Sequence, residues 1–106
     1  MRERVPSVVA EFCIAPGARK DLLDIYDFSE SRFGATQADA YLSGLERMFG
    51  LLADFPGMGS SSDEILPRIR RFRFQSHYIF YVAEADHVLI RGVIHVRQNI
   101  RPELFE

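Results

Sequence analysis

A chain of 106 residues and 12.2 kDa has material for one hydrophobic core, so a single domain over residues 1–106 is expected and a second is excluded. Hydrophobic residues at 47% and charged residues at 26% match ordinary globular composition and exclude a disordered chain. The formal charge of −2 excludes the strongly basic surface with which dedicated DNA- or RNA-binding proteins displace counterions, so sequence-specific nucleic-acid binding is not expected.

The lone Cys13 cannot close an internal disulfide, and no cluster of thiols, histidines or carboxylates has metal-ligand spacing, so neither metal nor cofactor is expected. The longest apolar run, Tyr78 to Ala83, is six residues, against about 20 for a membrane span. The N-terminal apolar stretch is interrupted by Glu11, which argues against a secretory signal. A cytoplasmic protein without a membrane partner is the expectation. Charge is unevenly divided: residues 1–66 carry six basic and eleven acidic side chains, residues 67–106 seven basic and four acidic, and all seven are arginine. The C-terminal third is the cationic part.

Alternation from Val8 to Ile14 predicts a first strand. Pro16 suits a first helical turn, and Leu22, Ile25, Tyr26, Ser29 and Phe33 follow at helical spacing until Gly34 stops the pattern. Thr36 and Asp39 resemble a capping box that opens a second helix. Its stripe of Ala38, Tyr41, Leu42, Leu45, Met48, Phe49, Leu52 and Phe55 predicts a buried face. So short a connection between the two helices requires an antiparallel hairpin. Pro56 to Asp63 reads as a long loop, and after Pro67 three β-rich runs, 69–74, 77–83 and 87–96, read as a meander. The predicted fold is α+β in two layers, β-α-α-β-β-β, with the hairpin packed on one sheet face and the other left for solvent or a partner.

Sorting strand residues by alternation places Phe72, Phe74, Tyr78 and Phe80 against the helices. On the opposite face it gathers Arg71, Arg73, His77, Tyr81, Arg91, His95 and Arg97. Such a face has three readings: a solvated arginine surface, a docking surface of the kind enriched in arginine and tyrosine, or an RNA-cleaving site in which His95 moves the proton. Leu23, Phe28 and Leu51 fall outside the helical stripes and predict an exposed apolar groove along the hairpin.

Several segments, in order, resemble the ParE branch of the ParE/RelE superfamily of type II toxins. They are Ala18, Asp21 and Leu22; Phe33-Gly34 with Gln37-Ala38; Leu52-Ala53 with Pro56 and Gly59; Ile69 to Phe72; Ser76 to Tyr81; and Val93-Ile94-His95 with Arg97 and Gln98. The resemblance covers about Val8 to Asn99. It implies a toxin that binds and inhibits DNA gyrase without chemistry of its own and is neutralised by a ParD-like antitoxin, with the seven residues of the cationic face serving target or antitoxin binding and none catalysing. A RelE-like messenger-RNA endonuclease and a non-toxic interaction domain of the same fold are the alternatives. Gly92, where the family often has arginine, and Asn99, where it often has aspartate, depart from the pattern.

Overall fold

The computed structural model describes residues 11–105, so the expected start of the first strand, Val8 to Ala10, lies outside the described residues. The elements are β1 (Glu11–Ile14), α1 (Pro16–Phe33), α2 (Ala35–Asp54), β2 (Ser60–Ser61), β3 (Arg70–Phe74), β4 (His77–Ala83) and β5 (His87–His95). They build one five-stranded sheet in the order β1-β5-β4-β3-β2. The hairpin carries the chain to the far edge, where β2 starts, and the antiparallel meander returns until β5 lies parallel beside β1. The sheet is therefore mixed.

Gly34 alone joins the two helices: at a φ of 92° its N–H donates to Glu30 O and its carbonyl accepts from Ala38 N–H. That conformation is open to glycine at little cost and serves as the stop of α1 and the cap of α2 together. The expected capping box from Thr36 to Asp39 does not form, because Gly34 occupies the cap and no side chain bonds there. Along α2, Ala38, Leu45, Phe49 and Leu52 are fully buried, whereas Phe55, expected to end the stripe, is 59% exposed because it lies past the last helical turn.

The two-residue turn at Gln75 and Ser76 decides which side chains face the hairpin. It pairs Phe74 with His77, so Phe72 and Phe74 share a face with Ile79 and Tyr81. Tyr78 and Phe80, expected beside them, point the other way, since a one-residue change of parity moves a whole strand's side chains across the sheet. A β-bulge between Phe80 and Tyr81 repeats the effect on β5: Tyr81 pairs with Ile90, Phe80 pairs with Gly92, and Arg91 is the extra residue. Val88 and Ile90 thereby join Val93 in the core under the helices.

The sheet face away from the hairpin is not left open as expected. Ile69, Phe80, Val82, Ile94 and Phe105 form a second core there, flanked by Ile65, Leu66, Ile100 and Leu104. Its cover comes from the segment before β3 and from a short 3-10 turn at Pro102–Phe105, whose Phe105 ring meets Phe80 edge-on at 5.0 Å. Full burial of such side chains is worth about 1.5–3 kcal/mol each, so both layers anchor β4.

Candidate docking surfaces

Of the seven sequence-selected residues, only Arg71 and Arg73 stand together on the face away from the helices. Arg71 stacks its guanidinium 4.9 Å over the Tyr78 ring, and Arg73 is exposed and donates from Nε to Gln75 O at 2.8 Å, bracing the turn. Tyr81 instead lies fully buried under the hairpin, where its hydroxyl donates to Pro56 O at 2.6 Å and accepts from Gly59 N–H at 2.9 Å. From the bulge Arg91 turns aside and donates to Phe105 O at 2.8 Å, tying down the C-terminal turn. Arg97 is exposed beyond the end of β5. The convergence expected of the seven does not occur, because the two-residue turn and the bulge each reverse the face assignment.

His77 and His95 come together on the helical side. They are directly paired across β4 and β5, with ring centroids 5.3 Å apart. The Tyr41 hydroxyl of α2 lies 2.7 Å from His77 Nδ1 and 3.4 Å from Phe74 O. Burial, and after it His95, pushes the His77 imidazole down to about 4, so the ring is neutral at pH 7. Burial likewise raises the Tyr41 phenol, keeping it protonated as a hydrogen-bonding group.

These rings floor a groove of about 550 Å³ walled by Ile25, Phe28, Phe33 and Tyr41. Above it Phe28 is 60% exposed, Phe33 57%, and Leu23 farther along α1 64%. Leu23 and Phe28 are thus the exposed apolar residues expected outside the stripe, while Leu51 is only half-exposed. Sequence reasoning missed Tyr41 as the partner of His77, having assigned it to the core stripe. It also missed the C-terminal cover, although the apolar spacing of Ile100, Leu104 and Phe105 carried a signal for it.

Asp21, quoted as part of a motif, has a specific task. Among the described residues β1 pairs with 87–90 of β5 and no strand meets the Val93 N–H on that side, where Asp21 Oδ2 accepts it at 3.0 Å. Half-burial raises the Asp21 carboxyl above the usual range against the opposing pull of that bond. Ala18 and Leu22, its motif companions, are buried in the main core. Gly92, a departure from the resembled pattern, sits where any Cβ would press on the Phe105 ring.

The architecture is that of a small two-layer α+β protein with an arginine pair on one side and an apolar, histidine-floored groove on the other. A family model for the ParE toxin of the type II toxin-antitoxin system, parDE, matches residues 13–100, and the chain belongs to that family. It is 36% identical to Toxin ParE1 of Caulobacter vibrioides over 82% of this chain and 90% of that protein. Toxin ParE1 of Mycobacterium tuberculosis is 29% identical over 86% of this chain and 94% of its own length. A solved chromosomal ParDE TA system from P. aeruginosa shares the fold, with a TM-score of 0.72 at 16% identity over 82% of this chain and 96% of that one. Membership in a toxin-antitoxin family implies an antitoxin partner. No described helix is long and apolar enough to cross a membrane.

Proposed function

We propose that this protein is a single-domain cytoplasmic toxin that inhibits DNA gyrase by binding it, breaks no bond itself, and is neutralised by a ParD-like antitoxin. The observation that carries contact over cleavage is the separation of the chemical groups. His77 and His95 lie on the helical side, whereas Arg71 and Arg73 lie on the other, so no imidazole stands beside the guanidiniums to move a proton at a phosphate they would hold. Arg71 stacked on Tyr78 is instead the pairing found at interface hot spots. The exposed Leu23, Phe28 and Phe33 support an antitoxin whose C-terminal segment lays an apolar face along the hairpin.

Two assays separate this reading from messenger-RNA cleavage: DNA supercoiling by gyrase and protein synthesis in a cell-free extract, each with the purified protein added. Inhibition of supercoiling alone is expected. The double variant Arg71→Ala/Arg73→Ala should relieve that inhibition while remaining folded by circular dichroism, whereas His95→Ala should leave it within about twofold. Loss of translation that depends on His95, with supercoiling intact, would assign the protein to the RelE-like class.

A further inference from the structure

We propose that His77 and His95 form an open binding site for a divalent transition-metal ion of the zinc, nickel or copper type, at the floor of the apolar groove. No ligand spacing announces the pair, since the two residues are eighteen apart and become neighbours only through the β4–β5 register. The Val96 N–H donates to Ser76 O at 2.9 Å, which makes the adjacent His77–His95 pair a non-hydrogen-bonded one. Side chains at such positions approach most closely, with Cα atoms about 4.5 Å apart.

The separation of the rings fits a shared ion. With metal–nitrogen bonds of about 2.1 Å and a tetrahedral angle, two imidazoles place their centroids roughly 5.2 Å apart; the observed value is 5.3 Å. The other nitrogen of the His77 ring has a partner suited to the bound state. When an ion takes His77 Nε2, the ring proton resides on Nδ1 and is donated to the Tyr41 oxygen, and the phenol proton turns to Phe74 O. His95 Nδ1 accepts from Arg97 N–H at 3.1 Å; on binding through Nε2 that N–H, in an exposed turn, passes to water.

The local charge also fits. In a chain with seven arginines in its C-terminal third, neither arginine nor lysine lines this groove, and its one carboxylate is Asp24. No third histidine, cysteine or carboxylate joins the pair among the described residues, so water completes the coordination sphere. Imidazole donors select zinc, nickel and copper over magnesium and calcium.

The test is titration of the chelator-stripped full-length protein with nickel chloride by calorimetry, and with zinc chloride by NMR of the histidine rings. One ion per chain is expected, bound more tightly than about 100 μM, with shifts confined to His77, His95 and Tyr41. His95→Gln, at an exposed position that leaves the fold intact, should abolish binding; Tyr41→Phe should weaken it roughly tenfold. His87→Gln and Cys13→Ser should leave it unchanged. Absence of binding at 1 mM ion, or binding that survives His95→Gln, would overturn the proposal.

Discussion

Acidification should destabilise this protein through His77, and the size of the effect can be worked out. The ring is held at about 4 in the folded chain, mainly by burial and then by His95, against 6.5 for the free group. The unfolded chain therefore takes up the proton first as pH falls. Stability contributed by the neutral buried ring is fully present above pH 6.5, declines as pH drops, and levels off near pH 4. At roughly 1.4 kcal/mol per unit, the whole window is worth about 3 kcal/mol, of which about 2 kcal/mol is lost between pH 7 and 5. Urea unfolding at pH 7, 6 and 5, with EDTA present to keep ions off the rings, measures it. His77→Gln removes the titrating group, so this variant starts less stable at pH 7 for want of the native Tyr41 contact but should show a slope shallower by that amount. Parallel slopes for the two proteins would refute the reasoning.

Other expectations concern close contacts. A Cβ at Gly59 would collide with the buried Tyr81 hydroxyl and the Arg71 carbonyl, so Gly59→Ala should cost about 2–3 kcal/mol in chemical denaturation. Gly50, inside α2 with open space around it, should give the opposite sign, Gly50→Ala stabilising by about 0.5–1 kcal/mol. Asp21→Ala orphans the Val93 N–H and should cost about 1–3 kcal/mol. Asp21→Asn can keep an acceptor there while sparing the burial of a charge; because the native carboxyl titrates above its usual range, that variant should gain on the native protein as pH rises through the carboxylate region. Phe105→Ala opens the second core and should cost about 3 kcal/mol, read as a lower melting temperature.

Local chemistry made the helices and strands legible. Pro16, Gly34 and the α2 stripe place the hairpin, and the bounds of β4 are those the β-branched run predicts. What alternation could not supply was parity between strands. Within β3 and β4 each face is sorted correctly, yet which face of one strand joins which face of the next depends on the loop between them. The two-residue Gln75-Ser76 loop contains that information, since it pairs Phe74 with His77 and so brings Phe72 beside Ile79 rather than Phe80. The bulge at Arg91 has a weaker signature, the single Gly92 beside it, since a glycine inside a strand often marks a bulge but does not say which residue is the extra one. For the candidate sites, Arg71 and Arg73 were placed correctly by alternation alone. The His77–Tyr41 contact spans strand and helix, and a tertiary distance of that kind is invisible to periodicity.

The opposed placement of groove and arginine pair sets a condition on any single inhibitor. A ligand lodged beside Phe28 leaves Arg71 and Arg73 in open water, so silencing both sides requires a tether that rounds the rim of the sheet. The short way around is the Gln75-Ser76 turn, whose residues line the groove on one side while the Gln75 carbonyl accepts from Arg73 on the other. A segment leaving the groove over that turn meets Arg73 first, and one that stops short of it masks one side only.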